Sequence, residues 1–348
     1  MIRQALISAL CAISLTACAP PRVAYLSDDI PRDASLHAVF IAKSGTSPSG
    51  ALFSTGRQNG MQFGRAVVAI PAVHEVGQVL WPRIHPPTPD RHFVLSEVGT
   101  YPNADSFYRA LPSKPASERV VYVHGFNVTP SEAVYTAAQV HKDFALADAP
   151  IVFSWPSAGR PRGYLHDRDS VLFARSDLAA LLTKLTDDST DRVSLLAHSM
   201  GAALVMEALR ELVLKGETRV LERISSVILV APDLDPEVFR RQARDIGKLP
   251  QPFVVFVATN DEALRFASLF SFERRLGAIQ DASDIGELEV TLIDLTSLGD
   301  GQGFNHEIAL TSPGAIRLLK GVREGDPTAL QALEQYLVRP APPIILAE

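Results

Sequence analysis

Short apolar runs alternate with longer amphipathic segments through the last two thirds of the chain. The runs are four to seven residues long, and most are rich in Val, Ile, Leu or Phe: Arg119–Val123, Ile151–Ser154, Arg192–Leu196, Ser226–Val230, Phe253–Ala258 and Glu289–Leu295. Runs of this length and composition predict buried strands, and the segments between them place apolar residues at helical spacing. The alternation predicts the α/β class, with a mostly parallel sheet that carries helices on both faces.

The first third of the chain has a different pattern. Three short apolar runs are separated by stretches rich in Gly, Ser and Pro: His37–Ala42, Arg65–Ile70 and His92–Leu95. Such runs predict strands joined by loops. We expect a β-rich part over residues 36–117 that extends the main sheet or covers one of its edges. The α/β core then occupies residues 118–338, and a Pro-rich tail occupies 339–348.

Residues 1–18 have the pattern of an export signal. A basic Arg3 precedes the apolar run Ala5–Leu15, which is too short to span a bilayer as a helix. The segment ends in Leu-Thr-Ala-Cys, which resembles a bacterial lipobox. In that motif the cysteine, here Cys18, is acylated and becomes the first residue of the mature protein. A plain secretory signal that is cleaved nearby is the alternative.

The residues after Cys18 predict where the protein is anchored. Ala19 stands where many lipoproteins of the inner membrane have an acidic residue, so the resemblance implies the outer membrane, facing the periplasm. Residues 19–35 are polar and contain proline, which predicts a tether between the lipid anchor and the domain.

Cysteine content and charge exclude several kinds of site. The two cysteines, Cys11 and Cys18, both lie in the leader, so the mature protein would have no disulfide, thiolate metal site or cysteine nucleophile. The formal net charge of −6 among 348 residues argues against a nucleic-acid partner.

The stretch Ala197-His198-Ser199-Met200-Gly201 carries the strongest candidate chemistry. It follows a predicted strand, precedes a predicted helix, and differs from the nucleophile-elbow pattern G-x-S-x-G only by Ala at the first position. The added methyl group is small enough for the tight strand-to-helix turn. Ser199 is therefore the candidate nucleophile.

A serine nucleophile requires a base, and the base requires an acid that fixes its tautomer. The chain order of nucleophile, acid and histidine in α/β hydrolases is met by Ser199, Asp261 and His306, each at or after a predicted strand end. Asp233, after the preceding predicted strand, is the alternative acid. The nearby Asp235 precedes Pro236 and Glu237, which predicts a helix cap.

Two backbone N–H groups are expected to form the oxyanion hole. One belongs to Met200, which follows the nucleophile, and the other to Phe126 in the loop after the strand at Arg119–Val123. Gly125 allows the backbone to approach closely there. His124 is expected to hold this loop through hydrogen bonds rather than to act as the base.

Four segments carry a family resemblance: Val121–Asn127, Phe153–Ser157, Ala197–Gly201 and Asn260–Leu264. With them the chain resembles the α/β-hydrolase superfamily, and within it the bacterial DUF900 group. The upstream segments Phe53–Arg57 and Ile70–His74 are similar to the N-terminal part of that group, although Gly56 departs from its more usual Asn. The resemblance implies the α/β-hydrolase fold and hydrolytic chemistry, but no particular substrate.

Together these features predict a lipid-anchored serine hydrolase with a catalytic triad. It would cleave an ester, thioester or related acyl bond of a small molecule or lipid, without a metal or organic cofactor. A non-catalytic envelope-binding module on the same scaffold is the alternative. A phosphate-binding role for the loop Gly299–Gly303 is disfavoured, because its glycine spacing and its place after the last strand do not fit such loops.

Overall fold

The computed structural model of the chain describes residues 22–46, 51–83, 85–112, 118–187, 192–271, 273–299 and 302–339. Cys18 with its leader, the first residues of the predicted tether, and residues 340–348 of the predicted tail lie outside these ranges. The described strands are β1 (Ser35–Ser44), β2 (Met61–Ile70), β3 (Val94–Tyr101), β4 (Glu118–Val123), β5 (Ile151–Ser154), β6 (Arg192–His198), β7 (Ile224–Val230), β8 (Phe253–Val257), β9 (Thr291–Asp294) and β10 (Leu337–Arg339).

These strands form one sheet in the order β10-β9-β8-β7-β6-β4-β5-β1-β2-β3. Neighbouring strands from β9 through β1 pair in parallel, whereas β2 pairs antiparallel with β1 and β3, and β10 pairs antiparallel with β9. The predicted α/β class with a β-rich N-terminal extension is confirmed. Since the parallel strands run in one direction, the loops after β4, β5, β6, β7, β8 and β9 meet at one edge of the sheet, the carboxyl edge.

The third N-terminal strand begins later and is longer than its apolar pattern predicts. The pattern covers His92–Leu95, whereas β3 runs from Val94 to Tyr101. Its second half is mostly exposed. Because β3 lies at the end of the sheet, these residues face solvent, so no apolar run marks them.

Helices cover both faces of the sheet. They are α1 (Ala104–Ala110), α2 (Pro130–Asp143), α3 (Tyr164–Leu185), α4 (Met200–Leu214), α5 (Thr218–Leu221), α6 (Pro236–Ile246), α7 (Glu262–Ser271), α8 (Ile308–Thr311), α9 (Pro313–Arg323) and α10 (Pro327–Leu333). Helices α3, α4 and α6 pack on one face, and α2, α8 and α9 on the other. None of the helices in the described ranges is long and apolar enough to cross a membrane.

The central strands are buried on both sides. In β4, Val121 and Val123 belong to one core and Tyr122 to the other, as the alternation of side chains along a strand requires. Helix α2 begins at a capping box in which Thr129 and Glu132 satisfy each other's backbone N–H groups. This local geometry fixes where the chain leaves β4 and enters α2.

Part of the predicted tether lies against the domain. The backbone of residues 25–27 pairs with Leu95 in β3, through Leu95 N–H to the Tyr25 carbonyl at 2.7 Å and Ser27 N–H to the Leu95 carbonyl at 2.9 Å. The N–H of Tyr25 also donates to the Tyr135 hydroxyl in α2 at 3.2 Å. The chain is therefore attached to the domain well before β1 begins.

Candidate active site

Ser199 lies in a strained turn between β6 and α4. Its backbone has φ 52° and ψ −121°, which non-glycine residues adopt only where the surrounding structure enforces it. A Cβ atom at Gly201 would lie 2.5 Å from the carbonyl oxygens of both Val123 and His124. Helix α4 therefore starts in direct contact with the end of β4, and the second glycine of the elbow pattern is sterically required.

The loop after β4 packs on the same turn. A Cβ atom at Gly125 would lie 2.8 Å from Nδ1 of His198 and 2.9 Å from Cβ of Ser199. The N–H groups of Phe126 and Met200, the two predicted oxyanion donors, lie on this loop and at the first residue of α4. Within the described ranges neither N–H donates to a protein acceptor. Both donors therefore remain available to a bound oxyanion.

Gly125→Ala should lower kcat by about 10²-fold or more, because the new methyl group would displace the loop that carries the Phe126 donor. The matched control is Gly99→Ala in β3, where an added Cβ meets no atom within 4 Å. Steady-state kinetics on a soluble aryl ester would measure both variants. Similar kcat values for the two variants would show that the loop does not serve catalysis.

Asp261 and His306 are brought together from two different loops. Asp261 follows β8 and His306 follows β9, and Nδ1 of His306 lies 2.6 Å from Oδ2 of Asp261. The Asp261 side chain is fully buried, and its other oxygen accepts the N–H of Leu264 at 2.8 Å. The carboxylate is thus held in place at both oxygens, and His306 must present its Nε2 away from Asp261.

Opposing effects act on the pKa of His306. Burial lowers the pKa, but the hydrogen bond and negative charge of Asp261 outweigh it, so the pKa is raised above the ordinary value of 6.5. A base must be neutral to accept a proton. A raised pKa therefore shifts the loss of activity to higher pH than for an isolated histidine.

The acid limb of the pH–rate profile should have its midpoint above pH 6.5, the ordinary histidine value. Here kcat/KM falls as the pH decreases through the folded pKa, because protonated His306 cannot act as a base. Initial rates between pH 5 and pH 9, with Ser199→Ala as the background, would measure it. A midpoint at or below 6.5 would contradict the role of Asp261 beside His306.

Asp233, the alternative acid, has other partners. The Tyr164 hydroxyl donates to its Oδ2 at 2.9 Å, and Nε of Arg275 lies 3.0 Å from its Oδ1 as an ion pair. Arg275 also donates through Nη2 to the Tyr164 hydroxyl at 3.1 Å. All three side chains are buried. This closed cluster occupies the Asp233 carboxylate, whereas Asp261 is the carboxylate on His306.

His198, which precedes Ser199 in the chain, contacts His306. Its ring centroid is 4.7 Å from that of His306, and Nδ1 lies 3.5 Å from the Glu307 carboxylate. Burial lowers the pKa of His198 to about 4 despite the opposing charge of Glu307. The ring is therefore neutral at pH 7 and does not repel a protonated His306.

Buried polar groups fix the loops around the site. His124 stacks on Trp155, accepts its backbone N–H at Nε2 and donates from Nδ1 to the Gly125 carbonyl. Asp167, fully buried in α3, accepts the N–H groups of Asn127 and Ala158 at 3.1 and 2.6 Å. One carboxylate thus ties the loop after β4 to the loop after β5.

No group of three or more His, Cys, Asp or Glu side chains within the described ranges is arranged to hold a metal ion. The described residues bring a strained serine, two N–H groups without a protein acceptor and an Asp–His pair to one edge of the sheet.

Residues 102–323 match the family described as "Alpha/beta hydrolase of unknown function (DUF900)". The chain belongs to the DUF900 family of α/β hydrolases. The match includes β4 to β9 and the candidate residues Ser199, Asp261 and His306. It begins just after β3, so it does not include the upstream segments that resemble the DUF900 group at the N-terminus. No curated protein sequence matches the chain.

The DUF900 chain is similar to solved structures of hydrolases, at low sequence identity. Aspergillus fumigatus lipase B is 20% identical with a TM-score of 0.41, over 70% of this chain and 64% of that one. An esterase from Pyrobaculum calidifontis is 12% identical with a TM-score of 0.38, over 88% of each chain. The chain thus spans less than two thirds of the lipase's length.

Three residues at the DUF900 site carry no signal in the sequence. Asp167 lies in the first turn of a helix, Arg275 in an irregular segment, and His198 within the elbow pattern, and none of these positions predicts the contacts that the side chain makes. Each acts through contacts with parts of the chain that are distant in sequence. The one available signal is the place of Asp167 on the apolar face of the first turn of α3, because acidic residues in a first helical turn usually face solvent.

Proposed function

We propose that this protein is a serine hydrolase that cleaves an ester, thioester or related acyl bond through an acyl-enzyme intermediate. The observation that carries the proposal is the 2.6 Å contact between His306 and the buried Asp261, beside a serine in the strained elbow conformation. A strained backbone turn costs stability and is found chiefly at functional sites, so its coincidence with the His306–Asp261 contact at one edge supports catalysis.

The proposed steps start from the hydrogen bond between His306 and Asp261. Asp261 accepts a hydrogen bond from Nδ1–H of His306, which leaves Nε2 as the free base. His306 takes the proton of the Ser199 hydroxyl as the serine oxygen attacks the substrate carbonyl carbon. The N–H groups of Phe126 and Met200 bind the oxyanion of the tetrahedral intermediate.

Collapse of this intermediate breaks the acyl bond, and protonated His306 gives its proton to the leaving group. Water then attacks the acyl-enzyme with His306 again as the base, which releases the acid and restores Ser199. Burial opposes the protonated ring of His306, but Asp261 outweighs burial and raises the pKa, which favours the protonated ring that each step forms.

The alternative, a non-catalytic envelope-binding module, would require neither the His306–Asp261 contact nor the unpaired N–H groups. The experiment that separates the two is labelling of the full chain with a fluorophosphonate probe. Wild-type protein should become labelled at one site, Ser199→Ala should not, and Ser54→Ala, a loop serine, should label like the wild type. Equal labelling of all three proteins, or of none, would contradict the proposal.

We also propose that the protein is anchored in the cell envelope through acylated Cys18, in the outer membrane and facing the periplasm. The Leu-Thr-Ala-Cys sequence and the absence of an acidic residue at position 19 support this. Metabolic labelling with an alkyne fatty acid, followed by membrane fractionation, would test it. Cys18→Ser should lose the label, and retention of the label in that variant would contradict acylation at Cys18.

A further inference from the structure

The N-terminal segment leads toward the active-site edge of the sheet. Moving backward along the chain, Tyr25 contacts Tyr135 in the second turn of α2, and Nη1 of Arg22 lies 3.2 Å from the Glu132 carboxylate in the first turn. Helix α2 begins immediately after the oxyanion loop. Arg22, the first described residue, therefore lies on the same edge of the sheet as Ser199.

Only three residues, Ala19, Pro20 and Pro21, separate Arg22 from Cys18, so Arg22 is the fourth residue after Cys18. An extended chain spans at most about 3.3–3.6 Å per residue, so a lipid on Cys18 lies no more than about 14 Å from Arg22. While Arg22 keeps its contacts with Glu132 and Thr129 at the start of α2, an anchor this short holds Cys18 nearer to the carboxyl edge than to the amino edge, where Leu95 lies. The carboxyl edge is the one that is brought to the bilayer.

Large apolar side chains are exposed around this same edge. Leu165 in the first turn of α3 is 71% exposed, and Phe304 in the turn before His306 is 66% exposed. Val23 beside α2 and Phe266 in α7 are also more than half exposed, and α7 packs against the turn that carries Phe304. These residues flank the site from the loops after β5, β8 and β9. Exposed apolar groups that ring a site indicate a surface that is covered in use.

Positive charge accompanies the apolar residues. The segment 158–168 carries the exposed arginines Arg160, Arg162 and Arg168 around Leu165. Within the described ranges none of the three forms a salt bridge. The neighbouring carboxylates are Asp167, which is buried and occupied by its own hydrogen bonds, and the exposed Asp169, so the three arginines exceed the carboxylates by one. A local excess of arginine in a protein of net charge −6 is complementary to anionic lipid headgroups.

We propose that the carboxyl edge of the domain is a membrane-docking face that is seated on an anionic bilayer. We define this face by Val23, Leu165, Phe266, Phe304 and the three arginines of 158–168. Its substrate is an ester-linked acyl chain of a membrane lipid, a substrate class that rests on the proposed serine-hydrolase function. The anchor at Cys18 attaches the chain to the bilayer, and the docking face orients the active-site edge toward it.

Exposed apolar residues elsewhere provide matched controls. Leu214 at the end of α4 is 67% exposed, but it lies at the amino edge of the sheet. Single exposed leucines are ordinary on soluble proteins and need no partner. Leu214 therefore has the exposure of Leu165 without its position.

The test reconstitutes the full chain into vesicles of phosphatidylethanolamine and phosphatidylglycerol. Cysteine is introduced singly as Leu165→Cys, Phe304→Cys and Leu214→Cys and labelled with an environment-sensitive fluorophore, which is possible because the chain has no cysteine beyond residue 18. Wild-type protein is treated in parallel to detect any label on Cys18. Brominated lipids should quench the probes at positions 165 and 304, but not the probe at position 214.

Hydrolysis is measured on the same vesicles as release of fatty acid, and on a soluble aryl ester. The ratio of lipid to aryl ester hydrolysis should fall at least about 10-fold in the pair Arg160→Glu and Arg162→Glu, because each arginine contributes to attraction by an anionic surface. Leu214→Glu should leave the ratio unchanged.

Three outcomes would overturn the proposal in different ways. Probes at 165 and 304 that stay unquenched on bound protein would exclude docking, even with aryl ester hydrolysis intact. Quenched probes without release of fatty acid would exclude the lipid substrate. Probes that become buried only in crude envelopes would indicate a protein partner instead. Absence of any Ser199-dependent hydrolysis would instead contradict the proposed function and, with it, the substrate class. In that case the quenching of the probes would still test docking on its own.

Discussion

Asp261→Asn should lower kcat by about 10⁴-fold, the effect expected when the base of a triad is held in the wrong tautomer. Asparagine can keep its oxygen on the N–H of Leu264, which donates to Asp261 in the wild type. Its amide NH₂ would then face His306 and require Nδ1 to accept. The proton of the ring would move to Nε2, which could no longer take the proton of Ser199.

The control for this prediction is Asp233→Asn, measured on the same soluble aryl ester and well below the unfolding temperature of both variants. Asp233 contacts Tyr164 and Arg275 rather than His306 in the structure, so its loss should change kcat far less. If Asp233→Asn loses several orders of magnitude and Asp261→Asn does not, the assignment of the acid is wrong.

Asp233→Asn should instead lower the free energy of unfolding by about 3–5 kcal/mol, as expected when one partner of a buried ion pair is removed. Arg275 is nearly fully buried, and Asp233 is the carboxylate beside its Nε. The variant would keep a hydrogen-bond acceptor for Tyr164 but leave the guanidinium charge uncompensated. Urea unfolding followed by circular dichroism would measure the difference.

Asp235→Asn is the matched control for stability. Asp235 caps α6 by accepting the N–H groups of Glu237 and Val238, and asparagine caps helices about as well as aspartate. This variant should change the free energy of unfolding by less than about 0.5 kcal/mol, as is usual for surface substitutions that keep a cap. Equal destabilisation by the two variants would show that the ion pair with Arg275 is not responsible.

The fold was predictable because its signals are local. Strands that are buried on both faces have continuous apolar sequences, and the start of α2 is marked in the sequence by the capping-box residues Thr129 and Glu132. The same reasoning predicted too short a β3, since a strand at the edge of a sheet has no apolar pattern on its outer side. The short β10 in the last described residues was not predicted for a similar reason.

The candidate site was predictable only in part. The elbow at Ser199 is specified by five neighbouring residues. The choice between Asp233 and Asp261 depends instead on which of their two loops brings its carboxylate to His306. Both aspartates follow strands that end at the same edge, so spacing alone cannot separate them. Asp261 contacts His306, which favours it as the acid, whereas Asp233 forms an ion pair with Arg275. Neither contact has a sequence signature. The roles of all these residues remain predictions for the experiments above.

The position of His306 and Asp261 in the sheet has a consequence for heat inactivation. Ser199 and the loop after β4 follow central strands, but Asp261 and His306 follow β8 and β9, and in the described part of the sheet only the three-residue β10 lies beyond them. Fraying from that border would separate His306 from Ser199 while most of the core stayed intact. Both tryptophans, Trp81 and Trp155, lie in the other half of the chain. Intrinsic fluorescence would thus report a folded protein after the enzyme had stopped working.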